Sequence, residues 1–242
     1  MTVPVRIYGH WVSQPTRAVL WAMKMKGAPV EFIRNDPTAG DGEKDDYLAL
    51  FPSGLYPGMI DGDVQITEAP AILTHLAETR GWDDLYPTTA TDAKKRAQVN
   101  QWLHWHHGNT RLATEHFFRP VLRTTLGKLD KSSIPSRFGK GKPEFETVCR
   151  VMKYGCFANA QPFMCGDAPT LADINAYCEF DQLEAFGILD DAGVTGFPEV
   201  IAWMDRMKQL PHHDEVRKSL QKLAVLVKPT VEQYRADLKA QK

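Results

Sequence analysis

Ser13-Gln14-Pro15-Thr16-Arg17 stands where a β-like run, Val3 to Tyr8, gives way to an apolar helical run, Ala18 to Met25. A hydroxyl at such a junction lies beside the unpaired N–H groups and the positive dipole end of a helix, a place suited to an anion or a thiolate. Ser is also a favoured helix cap and Pro a favoured first-turn residue, so the stretch by itself reads first as a plain helix start. Its surroundings decide what kind of domain it opens. Val30–Arg34 is a second strand rich in β-branched and aromatic residues, which closes a βαβ unit around the helix. Glu43–Leu50 is a short helix candidate. Gly58-Met59-Ile60, Asp61-Gly62-Asp63 and Val64–Thr67 read as strand, turn and strand, because Asp-Gly is a strong hairpin signal. Pro70 opens a further helix, Ala71–Thr79. The predicted order β-α-β-α-β-β-α closes near Arg80.

Beyond this point the strand signals stop. Gly81 to Thr91, with two aspartates and Pro87, reads as a connection. Asp92–Phe118, Glu144–Asn159, Thr170–Phe186, Pro198–Gln209 and Asp214–Val227 each carry apolar residues at three- and four-residue spacing, as in Phe145, Val148, Cys149, Met152 and Cys156. Leu122–Pro143, with several basic residues, is expected to be a solvated loop. The predicted organisation is an α/β domain over residues 1–81, a linker over 82–91 and an all-helical domain over 92–242.

Bulk properties narrow the functional classes. The chain has 242 residues and a net charge of −1 with both signs interspersed, which gives no reason to expect nucleic acid or an anionic membrane as a partner. Its 43% hydrophobic and 24% charged content is that of an ordinary globular chain, and no apolar run approaches the ~20 residues of a membrane span. A cytoplasmic location is the expectation. The four cysteines, Cys149, Cys156, Cys165 and Cys178, form no C-x-x-C pair, so buried free thiols are expected rather than a zinc or dithiol site.

Two further segments can carry chemistry. Leu55-Tyr56-Pro57-Gly58 leads into a strand, where a proline removes a ladder donor and demands an edge or a bend. A cis Tyr56–Pro57 bond would leave the Tyr56 backbone free to pair with an extended peptide ligand, whereas a trans bond would make this a plain loop. Thr67-Glu68-Ala69-Pro70-Ala71-Ile72-Leu73 places an acidic side chain and free N–H groups at a helix start. That arrangement suits a ligand's ammonium and carboxylate, or simply complements the helix dipole.

These three elements, in this order, resemble the glutathione transferases, most closely the theta class. Ser13 to Arg17 is similar to that class's serine motif, Tyr56-Pro57 falls at the family's cis-proline, and Glu68 to Leu73 at its Glu-Ser-x-Ala-Ile-Leu. Trp102-Leu103-His104-Trp105-His106-His107 with Arg111 is similar to a theta-like helix. Asp167 to Ile174, containing Thr170-x-x-Asp173, is similar to the capping segment of the helical domain. The resemblance spans both halves of the chain. It implies a thioredoxin-like N-terminal domain, an all-α C-terminal domain and a homodimer, with glutathione as co-substrate, no metal, and transfer of its sulfur to a small apolar electrophile. Ser13 is the implied catalytic residue. Tyr56, Pro57, Glu68 and Ala69 are the implied glutathione contacts, with Lys44 and Arg111 as further candidates. Trp11, Trp105, His107 and Tyr234 are candidates for the electrophile pocket, together with Val12, Phe117 and Phe118.

The chain departs from the family pattern at Ala69, where the family has a serine, and at Gly42 and Leu55, where theta members carry basic residues. These changes bear on glutathione affinity rather than on the fold. They also keep a second class of function open, a non-catalytic binding or dimerisation module; a glutathione-dependent isomerase or dehalogenase is a third. A disulfide reductase is disfavoured, since position 13 is serine. Arg17, one turn after Ser13, either adds positive potential at the sulfur or forms a structural ion pair. His104 and His107 share a helix face without a cysteine or carboxylate at ligand spacing, so a metal is not expected there. Lys228–Lys242 either covers the site or is disordered.

Overall fold

A computed structural model describes residues 4–240. Val3, the first residue of the predicted opening strand, and residues 241–242 of the tail lie outside them. Strand β1 (Val5–Gly9) pairs in parallel with β2 (Val30–Arg34) and antiparallel with β3 (Gly58–Asp61), which forms a hairpin with β4 (Val64–Thr67). The sheet order is β2-β1-β3-β4. Helices α1 (Gln14–Met25), α2 (Asp45–Leu50) and α3 (Ala69–Arg80) complete this half. Strand β1 is buried on both faces. Val5 and Ile7 join the main core, while Tyr8 packs with Tyr47, Phe51 and Ile60 in a second, smaller one. Such alternation is what a covered strand requires.

Helix α1 is buried almost all round, with Ala18 to Met23 at most 1% exposed, because it is sandwiched between the sheet and the helical half. Its charged Arg17 is equally buried and bonds to Asp181 at 2.5 Å and to the Cys178 carbonyl at 3.0 Å. Trp21 donates to the Pro211 carbonyl at 2.8 Å. The two halves are thus joined through the interior of α1, and Arg17 takes the structural of its two expected roles.

The helical half contains α4 (Thr89–His106), α5 (Arg119–Thr125), α6 (Ser133–Gly155), α7 (Leu171–Ala185), α8 (Pro198–Met207) and α9 (His213–Ala240). Three expectations are corrected here. The predicted helix Asp92–Phe118 is not continuous: α4 ends at His106, where the Asn109 amide caps the Trp105 carbonyl at 2.8 Å, and the chain resumes as a π-helical segment, Ala113–Phe118. Within α4, Asp92 has non-helical dihedrals and its carboxylate accepts from the Lys95 N–H at 2.8 Å, so it restarts the helix as a cap.

Leu122–Pro143 is mostly helix rather than loop. Only a short connection remains around Gly127, whose φ of 68° ends α5. Ile134, Phe138, Gly141 and Phe145 form one buried face that carries α6 through its basic residues and past Pro143. A side chain at Gly141 would collide with His116 and Phe117, so glycine there lets α6 lie against the π-helical segment. The tail is likewise helical as far as Ala240, because Val227 and Val231 are buried and Tyr234 packs on Phe138 with ring centroids 5.0 Å apart.

Two smaller expectations hold. Thr170 and Asp173 form the capping box of α7, and all four cysteines are buried free thiols. Burial pushes the Cys149 and Cys178 thiols up to about 12, which keeps them protonated. Among the described residues no helix is long and apolar enough to cross a membrane, and no group of His, Cys, Asp or Glu has the arrangement of a metal site.

Candidate active site

The strand register gathers the three sequence motifs. Tyr8 pairs with Gly58, and Gly58 with Thr67. The turn after β1 that leads to Ser13, the Tyr56–Pro57 bond before β3 and Glu68 after β4 therefore lie at one end of the sheet. The Tyr56–Pro57 peptide is cis.

Ser13 caps α1 with its backbone only. Its carbonyl accepts from the Arg17 N–H at 2.9 Å and its own N–H donates to the His10 carbonyl at 2.9 Å. With φ −65° and ψ 120° it has cap geometry, yet the hydroxyl makes no capping bond and the residue is half-buried. The hydroxyl is thus free to act on something else at the positive end of the helix. A methyl group at Gly9 would run into Thr16, so glycine allows the first turn of α1 to sit tightly on the end of β1.

Glu68 has φ 68° and ψ 111°, a conformation that costs a non-glycine residue about 1–3 kcal/mol. Its side chain, at the start of α3, is 58% exposed. His107 faces it: Nε2 lies 3.8 Å from the carboxylate, and the imidazole is 52% exposed. The structure therefore puts His107 beside Glu68. Ala69, just inside α3, is buried.

The other candidates are placed as follows. Lys44 is exposed and pairs with Asp41 at 2.7 Å. The turn beside it is closely packed, since a side chain at Gly42 would strike the Gly54 carbonyl and approach the Tyr56 hydroxyl. Burial pushes that Tyr56 phenol up to about 12, with Asp41 and Asp36 adding to the effect. Arg111 points into the helical half, its Nη1 donating to Glu179 at 3.3 Å and its Nε lying 3.7 Å from Glu115. Trp11 packs on Phe32 and Trp105 on Trp102, with centroids 4.9 and 5.2 Å apart, and both are half-buried. Phe117 and Phe118 are core residues, the latter stacked on Phe186 at 4.8 Å. Neither of two open hollows is lined by Ser13. One of about 690 Å³ is lined by Trp102, Arg150, Val151 and Tyr154, and one of about 450 Å³ by Phe51, Pro52, Thr67 and Ala71, next to the Glu68 turn.

Sequence reading missed a buried polar cluster beside Ser13, made of Gln14, Thr114, Glu179 and Gln182, with His106 at its edge. Glu179 and Gln182, polar residues spaced i, i+3 on the largely buried helix α7, were the available signal. Burial drives His106 down to about 3, so it is neutral, and the same burial pushes the Glu179 carboxyl up.

Family models agree with this layout. Residues 3–78 match the glutathione S-transferase N-terminal domain, and 128–211 match the C-terminal domain. Human glutathione S-transferase theta-2 is 30% identical over 199 residues, covering 81% of this chain and 78% of the relative. The chain belongs to the glutathione S-transferase family. Glutathione S-transferase T1 of Arabidopsis thaliana is 25% identical over 229 residues, 90% of each chain. Among solved structures, human glutathione transferase theta-2, in complex with glutathione and an unknown ligand, has a TM-score of 0.77 at 26% identity, covering 92% of this chain and 90% of that one. The expected glutathione transferase fold, a thioredoxin-like α/β half followed by a helical half, is the one observed.

Proposed function

We propose that the protein conjugates glutathione to small apolar electrophiles, with Ser13 donating a hydrogen bond to the glutathione thiolate. The observation that carries this reading is the Ser13 hydroxyl, released from capping at the sheet end shared with cis Pro57 and Glu68. A free thiol ionises near 8.5, so at neutral pH most of it is protonated. Lowering that value by about two units takes roughly 2.7 kcal/mol of preference for the anion. A hydroxyl bonding to a charge contributes about 1.5–3 kcal/mol, and the α1 dipole adds to it.

In this arrangement the Tyr56 backbone pairs with the cysteinyl unit, Glu68 receives the γ-glutamyl ammonium, and the Ala69 N–H receives its carboxylate. His107, through Glu68, belongs to this end of the ligand as much as to the electrophile pocket. Lys44 is the nearest candidate for the glycyl carboxylate, in competition with Asp41. Arg111 acts by holding Glu179. Trp11, Trp105 and Tyr234 are assigned to the walls of the electrophile pocket. In the reaction the thiolate sulfur bonds to the electrophilic carbon, the carbon–leaving-group bond breaks with its electron pair, and the thiol proton passes to solvent. The protein is assigned to the cytoplasm as a homodimer, with the division at residues 1–81, 82–91 and 92–242.

Purified protein is assayed with glutathione and a panel of alkyl halides, epoxides and activated aryl halides, with halide release followed separately. Ser13→Ala is expected to lower kcat about 10- to 100-fold near pH 6.5, the factor corresponding to a hydroxyl–thiolate bond. Turnover unchanged by that substitution refutes the role of Ser13. A non-catalytic module is the second reading, favoured by Ala69, the closed Gly42 turn and the Lys44–Asp41 pair. Calorimetry with millimolar glutathione separates the two, since the absence of binding heat supports the module.

A further inference from the structure

Residue 14 follows the proposed thiolate-binding serine, and its side chain does not stay in the α/β half. Gln14 Nε2 donates to Thr114 Oγ1 of the π-helical segment at 2.5 Å. Thr114 Oγ1 in turn donates to Glu179 Oε2 of α7 at 2.5 Å. Gln182, one turn further along α7, sends its amide to Thr114 Oγ1 at 2.6 Å and to Glu179 Oε2 at 2.8 Å. A hydroxyl has one proton and two lone pairs, so Thr114, accepting from the Gln14 and Gln182 amides and donating to Glu179, is fully used. Glu179 is fully buried, with Arg111 Nη1 at 3.3 Å and neutral His106 at 3.8 Å on its other oxygen. Glu115 lies beyond Arg111.

We propose that Glu179, Thr114 and Gln14 are positioning residues for catalysis, a relay that fixes the Ser13 turn against α7 and so holds the Ser13 hydroxyl where the sulfur sits. This inference rests on the reading of Ser13 given above. Three observations carry it. The relay reaches the residue bonded directly to Ser13, and each of its three members is at most 5% exposed. It also crosses between the halves of the chain, so the position of the serine depends on a helix of the other half. Finally, the hub residue lies in a π-helical turn, an irregularity that recurs at functional sites. A hydrogen bond to a thiolate is steep in distance and angle, so a small displacement of the turn weakens it without removing any group that binds glutathione.

The test uses the full-length protein with Gln14→Met, which keeps the length of the side chain and removes the amide. Thr114→Val and Glu179→Gln accompany it, the last retaining an acceptor for the Thr114 hydroxyl. Ionisation of bound glutathione is followed by the far-ultraviolet absorbance of the thiolate against pH, together with kcat, KM for glutathione and melting temperature. For Gln14→Met the ionisation midpoint is expected to rise by about one unit, so that the thiolate fraction and kcat near pH 6.5 fall about fivefold. KM for glutathione is expected to stay within about twofold, because its binding groups are untouched. Glu179→Gln is expected to lie between Gln14→Met and the parent.

A purely structural cluster would lower the melting temperature and leave the ionisation midpoint in place. That result for Gln14→Met overturns the relay, and it is decisive even where Thr114→Val does not fold. Should the parent protein itself show no thiolate signal with glutathione, the reading of Ser13 fails and the relay fails with it. A normal parent signal matched by Gln14→Met sinks the relay alone.

Discussion

Replacing Arg17 by methionine separates the two roles open to a cation one turn from Ser13, the proposed catalytic residue. The guanidinium lies 2.5 Å from Asp181 with side-chain exposures of 1% and 3%, and its second nitrogen bonds to the Cys178 carbonyl at 3.0 Å. Removing one member of a buried ion pair typically costs about 3–5 kcal/mol, because the remaining charge is left without compensation. Here Asp181 keeps Arg217, whose Nε lies 2.6 Å from its other oxygen, so the low end of that range applies. A loss of about 3 kcal/mol in a chain of this size corresponds to a fall of about 6–12 °C in melting temperature. Since Arg17 is directed into α7, the ionisation of bound glutathione is expected to stay at the parent value. Thermal and urea unfolding measure the first quantity and thiolate absorbance against pH the second. Replacing Asp181 by leucine as well should recover part of the loss, as apolar substitution of buried pairs commonly does. A melting temperature within 2 °C of the parent, at this ~2–4 °C per kcal/mol scale, or a shifted thiolate midpoint in a fully stable Arg17→Met protein, would refute the structural assignment.

Glu68→Gly is expected to split stability from binding. Glycine tolerates a φ of 68° without the penalty that a side chain incurs, so the melting temperature should not fall. Glutathione affinity measured by calorimetry should drop at least about tenfold, because a charged partner worth about 1.5–3 kcal/mol is gone. His106 makes stability depend on pH. Burial lowers its pKa from 6.5 to about 3, so between these values the unfolded chain binds a proton that the folded chain refuses. The stability it contributes is complete above about pH 6.5 and is lost as pH falls, with a slope of at most about 1.4 kcal/mol per unit. Urea titrations between pH 4 and 7 should show that slope reduced in His106→Gln relative to the parent; parallel curves for the two proteins would contradict it.

The α/β half was legible because its signals are local. Alternating β-branched residues, the Asp61-Gly62-Asp63 turn and Pro70 at a helix start each act over a few residues, and the observed sheet follows from them. Where the helical half was misread, composition concealed periodicity. The lysines, glycines and Pro143 between residues 122 and 143 suggested a loop, while Ile134, Phe138, Gly141 and Phe145 already spelled one buried helical face. The end of α9 was hidden for a similar reason, its apolar contacts being spaced widely among charged residues.

The ordered chemistry of the site, a serine at a helix start, a proline before a strand and an acidic residue before the next helix, is written in the chain. So is the family, since those residues occur at fixed separations along it. Tertiary structure alone decided which polar groups are spent and which remain free. Whether Arg17 faces the site or Asp181, and whether Glu68 lies beside His107, depend on residues more than thirty positions away. Hydrogen-bond partners of buried groups are set by the packing of whole elements, and no local pattern encodes them.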